Sequence, residues 1–215
     1  MIILGLFIID YVLYQISNIL IDQIKILVGL SFTFRYKHIF KIHKDTIYYN
    51  LDFFIRNLSQ YILLSFYHLN YIGYNNNNDY PLLKILIALA IQDFSYYGFH
   101  RLMHTVSFYK NYHKDRHQRI TTSWAARSGS ILESNVENII LMLPIFLLKM
   151  NKFHFHCLFV LSHIWNTLNY ESTFRYYLKC IRTPVDHLVH NQFMQYNFAL
   201  WTVIPDRIFG TYIKI

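Results

Sequence analysis

The chain has 215 residues, enough for one domain and too few for two substantial ones. It is 54% hydrophobic and 19% aromatic with only 15% charged residues, which argues against an ordinary soluble globular protein and for an integral membrane protein. The net charge of +8 is not gathered into a nucleic-acid face; many basic residues flank apolar segments, where they fit cytoplasmic loops or contacts with anionic lipid.

Residues 1–30 open as MIILGLFIIDYVLYQISNIL, a long apolar run interrupted by Asp10, Gln15, Asn18 and Asp22. No basic stretch precedes it and no small-residue cleavage site follows, so a cleaved signal peptide fits poorly. A membrane helix fits better, with an amphipathic surface helix as the alternative. Residues 33–50 are polar and basic (Arg35, Lys37, Lys41, Lys44), a cytoplasmic connection in which His38 and His43 read as solvated loop residues. Residues 51–73 are apolar enough for a second helix, with Arg56 and His68 near its ends or facing protein. The asparagine run at 75–78 with Asp79 is a loop, and Pro81 suits the first turn of the next helix.

That helix, residues 82–99, is the clearest membrane span, and it delivers His100 to an interface lined by Tyr96 and Tyr97. Asp93 near its end is either an acceptor for the far N–H of a ligating imidazole or a simple polar interfacial residue. Residues 100–127 carry Arg101, Lys110, Lys114, Arg116, Arg119 and Arg127 against one acid, Asp115, which places the segment in the cytoplasm. Residues 136–149 and 153–170 form an apolar hairpin turning at 149–152, tilted or re-entrant because it is short for a full crossing. His154 and His156 at the start of its second arm read as interfacial. A hairpin returns the chain to the side it left, so earlier and later histidines share one compartment. The more polar tail, 172–215, contains TPVDHLVHNQ and closes on PDRIFGTY, where Gly210 is a natural helix stop.

The anomaly is the count of 12 histidines beside only two cysteines, Cys157 and Cys180, which form no CxxC pair. A disulfide framework and a thiolate zinc site are therefore disfavoured. His100 and His104 stand four apart, as do His113 and His117; His187 and His190 stand three apart. Such spacings put each pair on one helical face, able to aim two imidazoles at one point. Chance placement of 12 histidines gives roughly one spacing-four pair, so the pairs gain weight only from their order and surroundings.

In that order the segments HRLMH, HKDRH, LSHIWN, HLVHN and the ending QYNFALWTVIPDRIFGTY resemble the fatty acid hydroxylase / sterol desaturase superfamily of membrane oxygenases. TTSWAAR after the second box is similar to a stretch found in some members. The resemblance covers about residues 82–215 and implies an N-terminal part, 1–81, of membrane helices and a connecting loop, followed by a hydroxylase-like domain, 82–215. It implies an all-α, multi-pass membrane helical bundle with a cytosolic helical cap carrying a histidine-ligated metal site, in the endoplasmic reticulum if the source is eukaryotic. The implied metal ligands are His100, His104, His113, His117, His163, His187 and His190, with Asn191 as a metal or water ligand. The implied cofactor is iron, two ions with one held weakly, for which zinc can substitute in a purified protein. The implied chemistry is dioxygen-dependent hydroxylation or desaturation of a lipid or sterol, with electrons from cytochrome b5 or a reductase. Imidazole donors suit iron, and oxidation of an aliphatic C–H bond needs a redox metal because no side chain can remove such a hydrogen.

Three positions depart from the pattern. Arg116 stands at an inner box histidine; it is always a donor, cannot ligate a cation, and is expected to turn toward an acid such as Glu133. Asn191 replaces the last box histidine, and Pro205 stands where tryptophan is usual. These changes keep two other readings open: a catalytically degenerate member that binds lipid or a partner subunit, and a single-zinc membrane hydrolase, for which no extra motif is present.

Overall fold

A computed structural model of the chain describes residues 80–117, 129–150, 152–171 and 179–214, with scattered positions between 5 and 23 and between 55 and 65. Among the described residues every regular element is helical, and extended backbone pairs only in an isolated bridge between Ile181 and Thr202. The scattered N-terminal positions are helical too. The expected loop with His38 and His43, the 75–78 asparagine run, His68, and the 121–127 stretch lie outside the described residues.

Helix α1, Pro81–Met103, starts with proline at its first position, where the missing N–H costs nothing. It reads apolar throughout, yet it buries Ala88, Gln92, Asp93, Tyr96, Tyr97, His100 and Met103 while leaving Leu82, Leu83, Leu86 and Phe94 exposed. Polar groups inside with large apolar groups outside reverses the soluble pattern and fits a helix bathed in lipid. After α1 come α2 (Val106–Phe108), a π-helical turn (Tyr109–His113) and α3 (Lys114–His117).

Helix α4, Ile131–Leu148, begins at Ser130, whose hydroxyl accepts the Glu133 N–H at 3.1 Å. It contains Pro144 and ends where Lys149 turns to φ 46°, a left-handed stop. Helix α5, Lys152–Asn169, comes directly after. The expected hairpin is therefore present in outline, but its first arm begins five residues earlier than 136. The expected arm took in only the second half of the segment ESNVEN, whereas in the fold Glu133, Ser134 and Asn138 are buried along one face of α4. The helices α1 and α4 are long and apolar enough to cross a membrane. Ala88, Met142, Ile145, Met150 and Leu158 make the core where α1, α4 and α5 meet.

Helix α6, Pro184–Phe193, is started by Thr183 and Asp186, each of which binds the backbone N–H of the other. It ends at Met194, φ 55°. The chain then runs through a buried loop into the short helix α7, Ile204–Ile208. Two carboxylates hold that loop. Asp206 accepts from the N–H of Phe198 and Ala199 at 2.8 and 2.9 Å, and Asp93 accepts from Leu200, Trp201 and Thr202 at 2.8, 2.8 and 3.1 Å. The loop is thereby tied to α1 at a fixed height, where it walls one side of the space at the end of that helix.

Candidate metal centre

One ring nitrogen from each of His100, His104, His113, His117 and His190 lies within 4.8 Å of the other four. α1 supplies His100 in its last turn and His104 just past its end. The π turn winds wider than an α-helical one and so shifts the helical phase; it brings His113 back over His104, with ring centroids 4.5 Å apart. Four residues on, His117 lies beside His113, their Nε2 atoms 2.8 Å apart. From α6, His190 closes the ring 4.5 Å from His100 and 5.0 Å from His117, centroid to centroid.

The outward nitrogens fix the direction of the inward ones. His100 Nδ1 lies 2.9 Å from the Phe198 carbonyl and His190 Nδ1 lies 2.7 Å from the Tyr196 carbonyl. Carbonyls only accept, so each Nδ1 carries the hydrogen and each Nε2 presents a lone pair. His113 Nδ1 donates likewise to Glu133 Oε1 at 2.7 Å. The Nε2 atoms of His104, His113 and His117 are mutually separated by 2.8, 3.0 and 3.2 Å. Donors held about 2.1 Å from a metal at right angles would lie about 3.0 Å from each other. His190 Nε2 is buried with no hydrogen-bond partner among the described residues. An orphaned acceptor, three crowded ring nitrogens and three ring tautomers set by outer partners all fit a transition-metal ion in the middle.

Burial, helped by repulsion from neighbouring imidazoles and the Arg116 guanidinium, pushes His104 down to about 2. Burial first and Arg116 after it bring His113 down to about 3, and His117 reaches about 3 mainly through burial and His113. His190 is held well below the ordinary histidine value, again chiefly by burial. The rings are therefore neutral near pH 7, the state that ligates.

The other expected site residues fall elsewhere. His187 is buried, but Arg182 donates to its Nδ1 at 2.9 Å, which leaves the hydrogen on Nε2. Its ring packs on Tyr170 at 4.3 Å and stands 6.1 Å from His190. His163 is buried in α5 against Phe159 and lies outside the five-nitrogen group. Asn191 approaches His117 through its side chain. Asp93 accepts its hydrogen bonds from the 200–202 loop, the Thr202 hydroxyl included at 2.6 Å, rather than from an imidazole. It positions the centre indirectly, because that loop presents the Phe198 carbonyl to His100.

Arg116 turns outward from the five nitrogens, as its inability to ligate a cation predicts. Its Nη1 donates to Glu133 Oε1 at 2.6 Å and to Glu137 Oε1 at 2.5 Å, and its Nε donates to the Tyr170 hydroxyl. Burial opposes its charge, but Glu137, then Tyr170, Tyr96 and Glu133, hold its pKa well above the ordinary arginine value. The expected turn of Arg116 toward Glu133 is thus present, with the guanidinium buried and paired. Glu137, Tyr170, Arg182 and the carbonyls of Tyr196 and Phe198 are the functional groups that sequence reasoning missed. Only Glu137 left a trace, one helical turn beyond Glu133.

A family model described as Fatty acid hydroxylase matches residues 85–211, more than half of the chain and all five clustered histidines. A Delta(7)-sterol 5(6)-desaturase of Leptosphaeria maculans is 26% identical over 136 residues, covering 63% of this chain and 38% of that protein. Another from Gibberella zeae is 26% identical over 147 residues, covering 65% and 46%. Lathosterol oxidase of Homo sapiens is 23% identical over 203 residues, covering 85% and 68%. The chain thus spans less than half the length of these two fungal relatives. No solved structure matches it. With the matched segment running from α1 through the histidine cluster to Thr211, the chain belongs to the fatty acid hydroxylase family.

Proposed function

We propose that the chain is a membrane-bound, iron-dependent oxidoreductase that hydroxylates or desaturates a lipid, fatty acyl or sterol, using dioxygen. The observation that carries this reading is the convergence of five neutral imidazole nitrogens at the end of α1. His100, His104, His113, His117 and His190 would hold the metal, and Glu133 with the Tyr196 and Phe198 carbonyls would keep three of the rings in the ligating tautomer. Bound iron supplies dioxygen activation and removal of hydrogen from an unactivated carbon, chemistry no side chain performs. The exposed aliphatic face of α1, with Leu82, Leu83, Leu86 and Phe94, gives a lipid a path along the helix toward His100. Sterol is favoured within the lipid class because the matched relatives are named for sterols. Electrons would come from cytochrome b5 or a reductase. The basic segment around Lys110 and Lys114 favours the cytoplasmic side for the centre, at the endoplasmic reticulum in a eukaryote.

The test is the sterol and acyl profile of cells with and without the chain, grown under ¹⁸O-labelled dioxygen. The expected result is a new hydroxylated or desaturated species that His104→Ala abolishes. An unchanged profile in a cell that makes the folded, metal-loaded protein would count against the reading. The second reading, a catalytically degenerate member that binds lipid or a partner, is favoured by Arg116 and Asn191 standing where the family pattern has histidines. Purified protein without any bound iron or zinc would decide for it.

A further inference from the structure

We infer that Arg116 is a built-in cation occupying the place a second metal ion would need, so that the chain binds one metal ion and not two. The inference rests on the metal-binding reading of the five histidines and deepens it. All five clustered nitrogens surround a single point, with none more than 4.8 Å from another. Beside that point lie the carboxylates that could attract a second cation, Glu133 and Glu137. Each already gives an oxygen to Arg116 Nη1, at 2.6 and 2.5 Å, while the same guanidinium donates through Nε to Tyr170.

Among the described residues, Glu133 Oε2 and the hydrogen-bearing His187 Nε2 remain buried without a partner beside Arg116, fewer donors than a second ion needs. A guanidinium stays charged and has no lone pair, so it can neither ligate nor step aside by losing a proton. It is buried, with its side chain 6% exposed, and Glu133 is 1% exposed, so little water screens its charge from an incoming dication. His187, the next imidazole beyond Arg116 across the Tyr170 ring, is also removed from the ligand pool. Arg182 donates to its Nδ1 and to the Ala199 carbonyl, which locks the arginine and keeps a hydrogen on His187 Nε2. Glu133 Oε1 meanwhile accepts from both His113 Nδ1 and Arg116 Nη1. One carboxylate oxygen therefore connects the resident cation to a ligand of the single metal.

The experiment uses the full chain purified in detergent, stripped with chelator, reloaded with manganese(II) and freed of excess. Metal per chain is counted by mass spectrometry, and the electron paramagnetic resonance spectrum reports whether ions are coupled. The wild-type chain is expected to hold one manganese with an uncoupled hyperfine signal. Arg116→His is expected to raise the count toward two and to give a spin-coupled spectrum. Two coupled ions in the wild-type chain would overturn the inference while leaving the oxygenase proposal standing. One ion in both proteins would overturn the role of Arg116 as occupant. No ion in either would remove this inference and the metal reading together. Should Arg116→His not fold, the wild-type count and line shape decide alone.

Discussion

Among the described residues, Asp93 and Asp206 accept only from backbone N–H groups and threonine hydroxyls, whereas Glu133, hydrogen-bonded to His113, and Glu137 share one guanidinium. All but Glu137 are nearly inaccessible to water. The first pair is neutralised by dipoles of the polypeptide, which stay put whatever cation comes or goes. The second pair is neutralised by a side chain that evolution can change in one step. Dipole-held acids fix geometry, here the height of the 198–202 loop and so the direction of His100. The cation-held pair fixes charge, and with it, on the inference drawn for Arg116, the number of metal ions the site would tolerate.

The sharpest way to break this comparison is to remove the cation. Arg116→Met fills similar space with no charge and leaves the buried Glu133 and the partly buried Glu137 without their partner. Breaking a buried ion pair from one side costs about 3–5 kcal/mol. Denaturant unfolding in detergent should show a loss of that size, and a loss below about 1 kcal/mol would mean that Glu133 and Glu137 do not depend on Arg116. The dipole-held pair predicts a smaller loss. Asp93→Asn keeps the shape but turns an amide donor toward one or two of the three N–H groups that the carboxylate accepts. One or two of these must go unsatisfied, at roughly 2 kcal/mol in total. The loop should loosen with it, so metal affinity should fall too, although Asp93 touches no ligand.

Acid provides a test on the imidazoles themselves, of which His113 donates to Glu133. The unfolded imidazole titrates near 6.5, whereas His104 is pushed down to about 2 and His113 and His117 to about 3 in the fold. Between those values the unfolded state binds more protons than the folded one, so stability is fully present above about 6.5 and falls as pH drops toward about 3. Metal-free protein should melt at clearly lower temperature at pH 5 than at pH 8. His104→Gln, with one buried imidazole fewer, should flatten the dependence. A melting temperature indifferent to pH would contradict the burial of these rings.

How far the centre could be read from the chain alone runs along the same division. His100 with His104, and His113 with His117, are paired on paper because a spacing of four marks one helical face. The orientation of Arg116 was legible because a guanidinium has no lone pair to offer a metal. Its second acid, Glu137, sits inside the expected hairpin arm, where nothing marks it as a partner until tertiary packing brings Arg116 to it. The carbonyls of Tyr196 and Phe198 left no trace, since every residue has one. The hydrogen on His187 is set by Arg182, five residues earlier, and nothing in the spacing of three between His187 and His190 announces that their tautomers differ. Asp93 stood out as an acid in an apolar helix, but its partners lie more than a hundred residues away.

Asp186 offers the smallest and most discriminating check. It is another buried acid, and like Asp93 it draws on neutral donors, the Thr183 N–H at 2.8 Å and the Thr183 hydroxyl at 2.7 Å. It also stands in the first turn of α6, where the helix dipole favours a negative charge. Thr183→Ala removes the hydroxyl, leaving the backbone donor and the dipole in place. The expected cost is about 1 kcal/mol, the usual value of an N-cap. His190 should keep its direction, because the Tyr196 carbonyl and not the cap sets it. Unfolding should therefore shift modestly while the number of manganese ions per chain does not change. A loss of metal from Thr183→Ala would mean that the acids held by dipoles also govern charge at the centre, and the distinction between the two pairs would fail.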